Sequence, residues 1–392
     1  MDSVLSDIRV LDLTRVLSGP FAVTMLSDMG ADVIKIDPPS GGSLKKLGGL
    51  PLEFKRIMNW RTERGRRSIT IDLTKEKGKN LFLRLVEKSD VVVQNFSVGV
   101  MDKLGIGYCE LSKANPCIIY CSISGFGETG PLRKKRAYDP AIQAYSGLNS
   151  MTGFPNQPPV RVGIQLADYV GATYAVIGIL AALRYRDISG KGQMIDCSMY
   201  DAMVAWTGGE ILTSKLTGAE RQGNTHPFGA PAELFETKDG KYFMYGVLTD
   251  AQWEEFLTMI GKEQLIQEKW NLGKRLMNKA ELNRWAAEWA KTRTLDEAIA
   301  ACDKHKLVNA PIVTAAELAS APQAVARECF IEIEDEIGKL NVSGPTPPKL
   351  SLTPSRIKGC PPKHGQHNDE IYSGLLGCSH NDIAILREEG VV

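Results

Sequence analysis

The sequence predicts an α/β protein with a parallel sheet in a large domain and a smaller α+β domain after it. Three observations carry this. Short β-branched runs alternate with helical stretches through the first part of the chain, and a long apolar helix follows them. Beyond about Gly223 the texture changes to Gly/Pro-rich turns, a hairpin and tryptophan-bearing helices. At 392 residues the chain exceeds the usual size of a single core. The boundaries read as 1–215 for the large domain, 222–325 for the small one, and 330–392 for a segment returning to the first.

In order, Ile8–Leu13 reads as a strand, Gly19-Pro20 starts a helix running to about Met29, and Asp32–Ile36 returns as a strand. Ser68–Asp72 precedes a helix near Gly78–Glu87, and Val91–Gln94 and Cys117–Ile123 are further short strands. Such alternation implies an open, Rossmann-like parallel sheet with helices on both faces. Ligands in sheets of that kind bind outside the carboxyl ends of the strands. A helix over 166–186 and a strand near Gln193–Cys197 complete this part. The second domain holds a hairpin (Glu233–Glu236 with Tyr242–Gly246) and helices carrying Trp253, Trp270, Trp285 and Trp289. Strand character resumes from about Ile331, 345–354 reads as extended chain, and 365–390 ends in a helix.

Composition narrows the function classes. The chain is 43% hydrophobic and 24% charged, as in ordinary globular proteins, and its net charge of +1 argues against a general nucleic-acid binder. The eight cysteines fall singly, with no CxxC pair and no zinc spacing, so no metal is expected. Reduced thiols suggest the cytosol. Met1 is followed by Asp2-Ser3-Val4 rather than a basic and then apolar run, so no signal peptide is visible. The apolar stretch Tyr169–Leu183 is about five residues short of a typical membrane span and reads as a core helix. The expectation is a soluble, cytoplasmic protein.

Several residues could carry chemistry. Gly125-Phe-Gly-Glu-Thr-Gly130 is a literal GxGxxG after a strand, which admits a nicotinamide-dependent oxidoreductase as an alternative. That fingerprint needs a helix to begin at the glycines and an acidic strand end about twenty residues on. Here Pro131-Leu-Arg-Lys-Lys-Arg136 follows, without an apolar stripe. The Arg133–Arg136 run and the Arg61/Arg64/Arg66/Arg67 cluster are either solvated faces or docks for a multiply phosphorylated ligand. None of the five histidines pairs recognisably with a Ser or Cys, and no Gly-x-Ser-x-Gly elbow is present. Asp168 stands out because it opens an apolar helix, where a carboxylate costs burial energy unless something satisfies or uses it. With a reference pKa near ~3.9 it would be ionised without a general base, and desolvation in a closed pocket would make it a competent nucleophile. The plain alternative is a helix cap.

The ordered motifs resemble those of the family III CoA-transferases, the group containing formyl-CoA and carnitine CoA-transferases. The similarity runs through Val10–Pro20, Gly30–Ile36, Val93-Gln-Asn-Phe96, Ser124–Pro131, Tyr138-Asp139, Asp168, Gly190–Ala202 and Pro362–Glu370, nearly the whole chain. The resemblance implies an interlocked homodimer that needs no metal or permanently bound cofactor. Its substrates would be a coenzyme A thioester as donor and a free carboxylic acid as acceptor. Asp168 would be the catalytic nucleophile, passing through an aspartyl anhydride and an aspartyl-CoA thioester. Val16, Leu17 and Ser18 would border the pantetheine with Arg15 at its edge. Asn95, Phe96 and Lys103 would hold the nucleotide end, and Arg136, Ala137, Tyr138 and Asp139 would lie along the CoA chain, with Tyr138 near the thioester.

Two departures from the formyl-CoA enzymes stand out. Pro38 replaces an arginine, and His226–Pro231 stands where a glycine-run loop would be, which implies an acid larger than formate or oxalate. A related branch racemises 2-methylacyl-CoA thioesters, using a histidine where this chain has Tyr138. A phenol with a pKa near ~10 is a poor base for that step. A catalytically silent CoA-binding protein is the remaining alternative.

Overall fold

The computed structural model describes residues 3–42, 49–218 and 221–392. The large unit begins β1 (Arg9–Asp12), α1 (Ser18–Asp28), β2 (Asp32–Asp37), α2 (Leu52–Thr62), β3 (Arg66–Thr70), α3 (Glu76–Val86) and β4 (Val91–Gln94). The chain continues α4 (Val100–Lys103), α5 (Tyr108–Ala114), β5 (Ile119–Ser124), α6 (Asp139–Tyr145), α7 (Leu148–Met151), α8 (Leu166–Ser189), β6 (Met194–Ser198) and α9 (Met199–Thr217), the ends of α7 and α9 passing into the second unit. The six strands pair in parallel in the order β3-β2-β1-β4-β5-β6. This is the doubly wound order, and its direction reverses between β1 and β4, where a crevice opens at the strands' carboxyl ends.

Alternation along each strand sorts its side chains to the two faces. Val10, Val33, Val91, Val93, Ile119, Cys121 and Ile123 meet α1 and α8 on one face. Leu11, Ile34, Ile36, Ile69, Val92 and Tyr120 meet α3, α5 and the C-terminal segment on the other. By length and apolar character α8 could cross a membrane. Its Ala167, Val170, Ala175 and Ile179 are instead buried in the core, against α1, β5 and β6. The C-terminal segment covers the β3 edge, where unpaired strand groups would otherwise invite aggregation. Ser68 N–H donates to His367 Nδ1 (3.0 Å) and Thr70 N–H to Asn368 Oδ1 (2.9 Å).

The compact units are 1–149, 161–212 and 323–392 on one side and 150–160 with 213–322 on the other. Residues 150–160, which sequence reading left in the large domain, cluster with the second unit. That unit holds an antiparallel sheet of β7 (Ala232–Glu236), β8 (Tyr242–Gly246) and β9 (Val308–Pro311) under helices that include Asp250–Met259, Lys279–Ala290 and Leu295–Lys304. Trp253 and Trp289 are buried in its core with Phe235, Phe243 and Tyr245. Trp270 is not helical as expected: it sits in the link after a 3₁₀ turn and stacks on Trp253 at 5.6 Å. Sequence reading also passed over α2 and α9, whose mixed composition lacks a clean apolar stripe.

A buried ion pair ties the tail of the large unit to its first helix. Arg64 donates to both Asp28 carboxylate oxygens (3.2 and 2.7 Å) and to the carbonyls of Ser343 and Gly344 (2.7 and 3.0 Å). Thr346 donates its N–H and hydroxyl to the same carboxylate (2.9 and 2.8 Å). Arg64→Met strands the Asp28 charge and is expected to cost about 3–5 kcal/mol. A urea or thermal melt reads this as a clear fall in midpoint, and an unchanged midpoint would refute it.

Candidate active site

The crevice at the β1/β4 reversal is a cavity of about 1000 Å³. Its walls are the loops at the carboxyl ends of β1, β4 and β5, the first turn of α1 and the start of α8. Arg15–Ser18, Asn95, Phe96, Lys103, Arg136–Tyr138 and Asp168, far apart in sequence, all line it. Asp139 lies just behind, buried.

The β1 loop is built on buried charge. Asp12 at the strand end accepts the N–H and hydroxyl of Thr14 (2.8 and 2.6 Å) and pairs with Arg66 and with Lys35 (3.6 Å). Burial works against the Asp12 charge, yet Lys35, Arg66 and the Thr14 bonds outweigh it and hold the carboxyl below its usual range. Beyond Thr14, Asn95 clamps Arg15 twice, accepting its N–H and donating to its carbonyl, both at 2.8 Å. The Arg15 guanidinium lies 4.7 Å over the Phe96 ring. Val16 adopts a left-handed backbone (φ 69°) at the bend into α1. Gly19 allows the close approach, because a Cβ there would meet Thr14 at 2.5 Å.

Asp168 is the third residue of α8, and Ser18 hydrogen-bonds its carboxylate. Burial, and secondarily the charge of Asp139, pushes its pKa up to about 7, while Ser18 pulls the other way. Sequence reasoning expected full ionisation at neutral pH. Instead, the folded environment leaves this carboxyl poised between its two forms. The capping role falls to a different residue: Asp139, on α6, accepts the Ala167 N–H of the first turn of α8 (2.8 Å) and the Gln143 side-chain amide (2.8 Å). Asp168 is therefore free of the helix-capping duty that was its plainest explanation.

The Gly125–Gly130 loop does not behave as a dinucleotide fingerprint. Residues 127–136 form bends and turns, and the next helix begins only at Asp139. A Cβ on Gly125 would meet that of Ala137 at 2.8 Å, so the glycine serves to seat the 133–138 segment against the strand end. Glu128, in the same loop, lines the cavity and accepts the Ser122 hydroxyl (2.5 Å). Sequence reading missed it, along with Met199 and the 97–99 turn, since nothing local marks a loop residue as cavity-facing.

The two basic clusters part company. Arg133–Arg136 is exposed and rims the cavity. Arg64, Arg66 and Arg67 are instead consumed by carboxylates, at Asp28, Asp12, and Asp32 with Glu370 respectively, so they are no phosphate dock. Arg61 lies over two aromatic rings. Among the described residues no histidine lines the cavity, and no group of His, Cys, Asp and Glu could hold a metal ion.

A family model described as CoA-transferase family III matches residues 5–368. The chain belongs to that family. It is 36% identical to the succinyl-CoA–D-citramalate CoA-transferase of Chloroflexus aurantiacus, over 99% of this chain and 98% of the relative. It is 35% identical to the succinate–glutarate CoA-transferase of Agrobacterium fabrum, over 95% of each. Among solved structures, a CAIB/BAIF family protein from Brucella suis matches with a TM-score of 0.82 and 33% identity, covering 96% of this chain and 100% of its own. This family III chain is thus a CoA-transferase, an enzyme of the transferase class that takes CoA thioesters as substrates. The racemase, oxidoreductase and silent-binder alternatives give way to it.

Proposed function

We propose that this CoA-transferase moves CoA from a succinyl-CoA-like donor to a dicarboxylic acid through covalent intermediates at Asp168. The observation that carries the mechanism is a carboxyl with a raised pKa at one point of a large cavity whose rim is basic. The diacid substrate is supported by the two relatives above, which are named for citramalate and glutarate.

In this scheme an Asp168 oxygen attacks the thioester carbon, the C–S bond breaks and CoA leaves as thiolate, forming a mixed anhydride. The thiolate then attacks the Asp168 carbonyl carbon, releasing the donor acid and leaving an aspartyl-CoA thioester. The acceptor carboxylate and then the thiolate repeat these two steps in reverse, which regenerates free Asp168. No net proton moves in this sequence of steps. The Ser18 and Gly19 N–H groups at the start of α1 are suited to each oxyanion. Arg15–Ser18 and Ala137-Tyr138 border the pantetheine in this reading, and Asn95, Phe96, Lys103 and Arg136 take the phosphate-bearing end.

Lys103 and Arg136 are both exposed on the rim. Lys103→Met and Arg136→Met should each raise KM for the thioester about 3–10-fold with kcat little changed, since they remove uniform binding. The penalty should shrink with added salt. A fall in kcat at constant KM would remove these residues from the binding surface. We also propose a cytoplasmic, interlocked homodimer, as the family resemblance implies. Leu52, Phe54 and Ile57 on α2 are exposed and suited to a partner, and scattering in solution tests it.

The decisive experiment is intact-protein mass spectrometry after incubation with succinyl-CoA and other thioesters, followed by hydroxylamine or borohydride trapping. A modification mapping to Asp168 is expected. Turnover with no trappable species at Asp168 would overturn the covalent route.

A further inference from the structure

Arg61 is half-buried and is held by aromatic faces without a counter-charge among the described residues. Its guanidinium carbon lies 4.3 Å from the centre of the Tyr169 ring and 5.7 Å from that of Phe21. Among the described residues it enters no ion pair or hydrogen bond, while Arg64, Arg66 and Arg67 beside it all pair with carboxylates. A half-buried guanidinium without an anion carries an electrostatic cost that a bound carboxylate would relieve.

The location gives this meaning. Along the packed helices α1 and α8, Ser18 meets Asp168, and three residues further along α1 Phe21 meets Tyr169 edge-on at 5.0 Å. Arg61, from the last turn of α2, covers that second pair. Its charge therefore lies against Tyr169, the residue that follows the nucleophile on α8. Lys103 and Arg133–Arg136, by contrast, belong to the rim proposed for CoA.

We infer that Arg61 is the specificity determinant of this enzyme, pairing with the distal carboxylate of a short dicarboxylic acyl group whose near carbonyl sits on Asp168. The Phe21 and Tyr169 rings hold the guanidinium without using its hydrogen-bond donors, which leaves them to the ligand. The inference rests on the proposed Asp168 site and its diacid substrates.

The test is the ratio of kcat/KM for succinyl-CoA to that for butyryl-CoA, which has the same carbon count but no distal charge. Wild type should favour the diacid strongly. Arg61→Met should lower the ratio about 100-fold, the effect of leaving a desolvated carboxylate unpaired. Arg61→Lys, which keeps the charge but not the planar fork, should recover most of it. Equal losses on both thioesters in Arg61→Met, with the ratio unchanged, would overturn the assignment. Should Arg61→Met not yield folded protein, Arg61→Gln replaces it, and an unchanged ratio there overturns the assignment equally. If wild type itself shows no preference for the diacid, the substrate reading falls and Arg61 with it. Trapping at Asp168 reports separately on the covalent route.

Discussion

Asp168→Asn is expected to lower CoA transfer by at least ~10⁴-fold while leaving the affinity for free CoA close to wild type, because it removes the attacking oxygen and little of the binding surface. Assay of thioester exchange together with calorimetric CoA titration checks both halves. Transfer near wild-type rate would refute the covalent scheme, and loss of CoA binding would mean that Asp168 shapes the cavity instead. The same variant carries a stability signature. In the unfolded chain this carboxyl ionises at its ordinary value, whereas in the folded protein burial and Asp139 push its pKa up to about 7. Below about pH 4 both states hold the proton and the group costs nothing. As pH rises the unfolded chain releases the proton first, and above about 7 the folded protein bears the full penalty. Asparagine escapes it, so the variant should gain stability over wild type as pH increases. The gain should be roughly 2 kcal/mol at pH 8 after allowance for partial exposure, and it should vanish near pH 4.

The second large effect is on the pH profile. Only the ionised carboxyl attacks a thioester, so kcat/KM of the free enzyme should climb through an acid limb near pH 7. Two pH units below that limb the rate constant should be about 100-fold under its plateau. Asp139→Asn keeps an oxygen for the Ala167 N–H but removes the charge that helps raise Asp168, so the limb should move to lower pH. A merely structural role for Asp139 would lower the plateau and leave the limb in place. An unmoved limb therefore assigns Asp139 to bracing alone.

The alternation of Val/Ile-rich runs with helices in the first half made the parallel sheet legible, because a strand covered on both faces must be apolar almost throughout. The ordered motifs from Val10 to Glu370 carried the family. Asp168 was legible too, as a carboxylate at the mouth of an apolar helix. Its ionisation was not, because a pKa depends on what burial and a neighbour from another helix do to the charge. Nor was the division of labour between Asp168 and Asp139, since the cap is supplied from α6, across a gap in sequence that no local pattern bridges.

Arginines show the same limit. Arg61, Arg64, Arg66 and Arg67 look alike in the chain, yet three are paired with Asp28, Asp12 and Asp32, and one lies unpaired on Phe21 and Tyr169. What the sequence by itself determined was the type of the elements with a clean apolar pattern, the parallel sheet and the family, all of which rest on periodicity and short motifs. The tertiary structure alone decided which charges are spent on folding and which stay available to a ligand. Electrostatic energy depends on distance and burial in three dimensions, and neither is encoded at any single position.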